Sequence, residues 1–208
     1  MSDVILYDYW RSSASYRVRI ALNLADVKYQ SHPVSLLKQE HLSPEYLARN
    51  PQGLVPALLI DGQLLTQSLA ITEYLSETRG TNFLPENTVD RARVRALAHA
   101  IAMDIHPVCN LSVVNYAASL TDTPEETTKA WMQKFIGRGL AALEVMLQQT
   151  PGPLCFGGTP TLADICLVPQ LYNAQRWQVD ISAFNRILEV RTRLTAIPAF
   201  INAAPIVP

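Results

Sequence analysis

The chain is short of several features that would each point to a class of protein. Its net charge is −1, so no global field draws it toward nucleic acid or an acidic membrane surface. No apolar run approaches the length of a membrane-spanning helix. Its three cysteines, Cys109, Cys155 and Cys166, are odd in number and widely spaced. That argues against a disulfide framework and offers no zinc-binding spacing, so no metal ligands are expected. Residues 1–11 lack the basic start and long apolar core of a signal peptide. With the cysteine usage, this predicts a reducing, cytoplasmic setting. No internal repeat or low-complexity stretch is visible.

What is present reads as an ordinary soluble globular chain, 49% apolar and 17% charged. Its 208 residues suffice for one large domain or two small ones. Val4-Ile5-Leu6-Tyr7 reads as a strand, and Val18, Ala21, Leu22 and Ala25 recur at helical spacing after it. Tyr29 to Val34 reads as a second strand, so the opening suggests a parallel crossover. A polar loop, Ser35 to Asn50, precedes Pro51-Gln52-Gly53 and a third strand from Val55 to Ile60. Asp61-Gly62 signals a hairpin to Leu64-Leu65, and Ser68 stands near the N-cap of a helix over 69–75. The order is βαβ, then ββα, over residues 1–80. After a linker at Phe83 to Asn87 the strand signal vanishes, and residues 88–208 read as helical. Helices are expected over 91–103, bent or interrupted at Pro107, and over 125–148 with Trp131, Phe135, Leu140, Leu143 and Leu147 as the apolar stripe. Further helices follow a capping box at Thr161 to Asp164 and lie near 187–194 and 198–203.

The densest chemistry is the turn Arg11-Ser12-Ser13-Ala14-Ser15-Tyr16-Arg17. A helix start presents unpaired N–H groups and partial positive charge, which suits an anion. No cysteine lies in the turn, so a thiolate would have to come from a small cofactor. From the local pattern alone, Ser12 and Ser13 read better as plain helix caps. Gln67 and Ser68 mark a second helix start suited to a carboxylate. His106 and Asn110 are four apart and share a face if a helix continues past Pro107. The run Arg91, Arg93, Arg95 reads as a solvated face, and Trp131 with Phe135 as core.

These residues, in this order, resemble the zeta class of the glutathione transferase family. The likeness rests on Ser-Ser-x-Ser followed by Arg17-Val18-Arg19-Ile20-Ala21-Leu22, on Asn50-Pro51 with Val55-Pro56, and on Gln67 to Ile71. It continues at Asn110 to Val113, at Leu162-Ala163-Asp164 through Gln170, and at Asn173 to Arg176, so it spans nearly the whole chain. One departure is Ala14, where the class commonly has cysteine.

The resemblance implies a fold of class α/β plus all-α: an N-terminal thioredoxin-like βαβ-ββα domain that binds glutathione, then a helical-bundle domain carrying the acceptor-substrate site. It implies a glutathione-dependent cis–trans isomerase that takes maleylacetoacetate to fumarylacetoacetate. Maleylpyruvate isomerisation, general glutathione transfer and a non-catalytic binding role are the alternatives. The partners implied are a small dicarboxylate substrate and a second copy of the chain, with no nucleic acid and no membrane. Ser12, Ser13 and Arg176 would be catalytic. The cofactor would meet Ser12, Ser13, Ala14, Ser15, Tyr16, Arg17, His41, Val55, Gln67 and Ser68, with His106, Asn110, Leu111 and Ser112 from the helical part. Arg11 and Arg176 would hold substrate carboxylates. The side chains of Arg17 and Arg19 read as fold-supporting or surface charges. Val55 would pair strand-like with the cofactor if the bond to Pro56 is cis. Maleylpyruvate-specific relatives tend to carry arginine right after the asparagine; here Leu111 and Ser112 follow Asn110.

Overall fold

The computed structural model describes residues 4–206. Residues 1–3 and 207–208, at the outer ends of the two expected domain spans, lie outside the described residues. The chain packs as two units: one runs to Phe83 and also takes the segment from Ile197 on, the other is Leu84–Ala196.

The first unit runs β1 (Ile5–Asp8), α1 (Ser13–Leu24), β2 (Gln30–Pro33), a 3₁₀ turn (Glu40–Leu42), α2 (Pro44–Leu47), β3 (Ala57–Ile60), β4 (Gln63–Thr66) and α3 (Ser68–Thr78). The strand order is β2-β1-β3-β4, with β2 parallel to β1 and β3 and β4 antiparallel to their neighbours. This is the thioredoxin-like βαβ-ββα arrangement. The β3–β4 hairpin turns through Asp61 and Gly62, both at positive φ, as a tight two-residue hairpin loop demands. Alternation sends Ile5, Tyr7, Ala57 and Leu59 to one face, where they cluster with Tyr9, Val34, Tyr46 and Val55. Leu6, Leu58 and Ile60 alternate with them and are fully buried. Each such side chain removed from water is worth about 1.5–3 kcal/mol.

The polar loop expected over 35–50 holds two short helical turns. Ser43 caps α2 by accepting from Tyr46 N at 3.2 Å, and Pro44 opens it. A four-residue helix is too short for its periodicity to register in the sequence. Every α1 residue from Ser13 to Leu22 is buried, including Arg17 and Arg19. Arg19 chelates Asp8 with two bonds of 2.8 Å and donates to Trp10 O and Ala203 O. α9 (Pro198–Asn202) packs against α1, fastened by Tyr16 Oη to Phe200 O and Asn23 Nδ2 to Ala199 O.

The second unit contains α4 (Thr88–His99), a π-helical turn (Ala100–Ile105), α5 (Leu111–Ser119), α6 (Pro124–Gln148), α7 (Leu162–Arg176) and α8 (Asn185–Leu194). α6 packs on α5, α8 and the π-helical turn, and α4 packs on α7. A Cβ at Gly139 would collide with the Ile105 side chain, so glycine lets α6 approach that turn. The buried stripe of α6 is Met132, Ile136, Leu140, Leu143 and Leu147, one position on from the expected Trp131 and Phe135. Those two rings are only half-buried, 4.7 Å apart, with Trp131 Nε1 donating to Val108 O. The capping box is present: Asp164 accepts from Thr161 N, Thr161 Oγ1 and Cys155 N while fully buried.

Candidate active site at one end of the sheet

The strand register places three candidate segments together. Tyr7 at the end of β1 pairs with Ala57 at the start of β3, and Ala57 pairs with Thr66 at the end of β4. The chain therefore leaves this one end of the sheet as the Ser12 turn, as Val55-Pro56 and as Gln67-Ser68. The end of β2 emerges here too, because Asp8 pairs with Pro33, and it leads toward His41.

Ser12 is the N-cap of α1, with extended backbone at φ −67° and ψ 123°. Its Oγ accepts from Ser15 N at 3.2 Å, and its carbonyl accepts the first intrahelical bond, from Tyr16 N. Because Ser15 is the donor, the Ser12 hydroxyl keeps its own proton to donate. Ser12 is half-buried, whereas Ser13, Ala14, Ser15, Tyr16 and Arg17 are buried. The side chain of Tyr16 is used within the unit, on Phe200 O. Arg17, 2% exposed, donates from Nη1 to Ser68 Oγ at 3.2 Å and so ties α1 to the start of α3. Arg11 is half-buried, with its guanidinium 5.5 Å from the Trp10 ring and 6.0 Å from the Tyr9 ring.

The Val55–Pro56 bond is cis. β3 begins at Ala57, which leaves Val55 outside the strand ladder. Gln67, not Ser68, is the N-cap of α3; it sits at φ 69° with its side chain exposed and Nε2 donating to Gln52 Oε1 at 2.8 Å. Ser68 is the first helical residue and is buried. His41 lies in the 3₁₀ turn, half-buried, and burial lowers its pKa below the ordinary imidazole value.

In the second unit the helix does not continue past Pro107. His106 N bonds back to Ile101 O in the π-helical pattern, and residues 106–110 form a turn. Proline supplies no N–H to carry the helix on. Hence His106 and Asn110 do not share a helical face, and Asn110 instead caps α5 by accepting from Ser112 N at 3.1 Å. Ser112 Oγ donates to the same Asn110 oxygen. Leu111 and Ser112 are exposed at the start of α5. Arg176, at the exposed end of α7, donates to Asn173 Oδ1 at 3.2 Å and lies 5.8 Å from the Trp177 ring.

Residues that sequence reasoning passed over are Tyr46, Asn50 and Gln52, which hold the segment leading into Val55. The punctuation Asn50-Pro51-Gln52-Gly53 was the available signal.

The sheet topology and the serine-capped turn define a thioredoxin-like domain, followed by a helical unit. Family comparison places it. The sequence model of the glutathione S-transferase N-terminal domain matches residues 2–77, and that of the C-terminal domain matches residues 125–197. The chain belongs to the glutathione S-transferase family. Within it the likeness is to the zeta class: a bacterial maleyl pyruvate isomerase of that class, solved in holo form, superposes with TM-score 0.93 at 43% identity, covering 97% of this chain and 96% of that one. The maleylacetoacetate isomerase of Rhizobium meliloti (strain 1021) is 58% identical over 206 residues, covering 98% of this chain and 97% of the relative. The maleylacetoacetate isomerase of Anaeromyxobacter dehalogenans 2CP-1, solved with dicarboxyethyl glutathione and citrate in its active site, matches with TM-score 0.86 at 38% identity over 99% of this chain and 96% of that one.

Proposed function

We propose that this chain is a glutathione-dependent cis–trans isomerase that converts maleylacetoacetate to fumarylacetoacetate. Identity of 58% over nearly the whole length to a maleylacetoacetate isomerase supports the reaction. The observation that carries the chemistry is Ser12: an N-cap hydroxyl whose oxygen accepts from Ser15 N and whose proton remains to be donated.

The residues at this end of the sheet fit an extended tripeptide thiol. Ser12 and the first amides of α1 suit a sulfur anion, Val55 outside the ladder suits strand-like pairing, and the start of α3 suits a carboxylate. When bound, glutathione supplies a thiolate whose reversible addition to the cis alkene leaves a single bond free to rotate. The residues must keep that sulfur anionic at neutral pH. Lowering a thiol pKa by roughly two units takes about 2.7 kcal/mol. A hydrogen bond to a charged group supplies ~1.5–3 kcal/mol, and a helix N-terminus adds about 0.3–1 kcal/mol. Ser12 and the α1 start are therefore sufficient, and no general base is required. Arg17 does not reach out to the cofactor in this reading; it secures the start of α3 through Ser68. Arg11 and Arg176 take substrate carboxylates, for which a planar guanidinium fork is suited.

A homodimer and a cytoplasmic setting belong to the same proposal; light scattering at twice the chain mass tests the first. Among the described residues, no helix is long and apolar enough to cross a membrane. Maleylpyruvate is the second reading, supported by 43% identity over 97% of the chain to a maleyl pyruvate isomerase. Side-by-side turnover of maleylacetone and maleylpyruvate, with and without glutathione, decides between them. Faster turnover of maleylpyruvate reverses the substrate assignment, and equal rates without glutathione remove the cofactor.

A further inference from the structure

We infer that Tyr46 and Asn50 are positioning residues of the cofactor site, acting through the peptide bond that joins Leu54 to Val55. This rests on the reading that Val55 meets the cofactor's backbone.

The Leu54 carbonyl accepts two hydrogen bonds of 2.7 Å, one from Tyr46 Oη and one from Asn50 Nδ2. Both donors are buried, Tyr46 at 4% and Asn50 at 2% exposure. They hold a segment that is otherwise open, since Pro51, Gln52 and Leu54 are exposed. A peptide unit is planar, so its C=O and N–H point in opposite directions. Fixing the Leu54 oxygen from two sides therefore fixes the direction of the Val55 N–H. Burial pushes the Tyr46 phenol up to about 12, so it stays protonated, and a donor, at neutral pH.

The clamp is wound into a wider frame. Asn50 Oδ1 accepts from Gln52 N, and the Asn50 carbonyl accepts from Gly53 N. Gly53 is at φ 62°, where a Cβ would lie 3.0 Å from Leu42 Cδ2 and 3.3 Å from the His41 carbonyl, so this turn requires glycine. Gln52 Oε1 then accepts from Gln67 Nε2 at the cap of α3. The segment that presents Val55 and the helix start proposed for the carboxylate are thus held by one chain of hydrogen bonds.

Tyr46→Phe tests this, because it removes one donor and keeps the ring that packs edge-on against Tyr7 at 6.4 Å. Calorimetry would compare glutathione with an isostere in which an E-alkene replaces the cysteinyl–glycine amide, deleting the carbonyl that Val55 N–H would meet. The expected result is a glutathione Kd raised about threefold to tenfold in Tyr46→Phe, the range of one neutral hydrogen bond. The isostere's Kd is expected to change by less than about twofold, since its partner atom is absent. A penalty of the same size for both ligands, or none for glutathione, overturns the clamp. Equal binding of both ligands by the unsubstituted protein removes the Val55 contact itself, and the clamp's role falls with it.

Discussion

Ser12 performs two tasks, and substitution can separate them. As N-cap it accepts from Ser15 N at the long distance of 3.2 Å, and as proposed sulfur partner it donates. Ser12→Ala loses both. Loss of a cap costs about 1 kcal/mol, which lowers the melting temperature by about 2–4 °C in a chain of this length. Ser12→Gly loses the hydroxyl but costs only a few tenths of a kcal/mol as a cap. Loss of a charge-assisted bond worth ~1.5–3 kcal/mol raises the bound thiol's pKa by roughly one to two units in either variant. Turnover at neutral pH then falls by up to about 10- to 100-fold, the loss of thiolate fraction that such a shift allows. The direction with pH follows. A thiol loses its proton as pH rises, so the variants regain rate between the parent's thiol pKa and their own higher one. The parent is flat over that window. The assays are the pH–rate profile and ultraviolet titration of the bound thiolate. Identical profiles in Ser12→Gly and the parent would refute the role of Ser12. A loss of rate in Ser12→Ala alone would show that the cap, and not the hydroxyl proton, was at work.

Arg176→Ala is expected to raise KM for the dicarboxylate about 10- to 100-fold with kcat nearly unchanged, as loss of a charged hydrogen bond predicts; an unaltered KM counts against it. Asp164→Ala strips the acceptor from two buried backbone N–H groups, those of Cys155 and Thr161. It should destabilise the fold by about 3–5 kcal/mol in urea unfolding, and a shift under about 1 kcal/mol would contradict the geometry. His41 has a pKa lowered by burial, so the unfolded chain binds its proton more readily than the folded one. Stability is then lost as pH falls from about 6.5 toward the lower folded value. His41→Gln should flatten that part of the curve in thermal melts, and an unchanged slope would exclude the residue.

The parts of the fold that the sequence announced are those with a local cause. β1, β3 and β4 are apolar runs bounded by turn residues, and the Asp61-Gly62 hairpin lies where that dipeptide stands. The capping box at Thr161 and Asp164 is written in four consecutive residues. What stayed hidden depends on residues distant in the chain. In the α6 stripe Leu140, Leu143 and Leu147 lie where expected, but its start was misread by one position because Trp131 and Phe135 are the largest apolar side chains there, yet tertiary packing buries Met132 and Ile136 instead. The return of α9 to α1 is carried by backbone carbonyls of Phe200, Ala199 and Ala203, which no side-chain pattern reveals. At the candidate site, Ser12 and Gln67 were visible as helix starts. The hold on Leu54 was not, because Tyr46 belongs to a helix of only four residues.

Two candidate residues, one in each unit, are N-caps, and each retains hydrogen-bond donors for a partner. Ser12 Oγ accepts from Ser15 N, and Asn110 Oδ1 accepts from both Ser112 N and Ser112 Oγ. A cap uses up acceptor capacity on the helix and keeps its donors: the hydroxyl proton of Ser12 and the amide protons of Asn110. Both groups can therefore donate to a partner that accepts hydrogen bonds, such as a thiolate, carboxylate or carbonyl oxygen. On the proposed reading, the donors that serve the anionic thiol are ones the fold already orients at its helix starts. The reasoning has a direct check in Asn110→Asp, which keeps the cap but exchanges donors for a charge. It should leave the melting temperature within about 2 °C, since Asp caps as well as Asn. It should also weaken binding of any anionic ligand that Asn110 touches, and tighter binding would reverse the assignment.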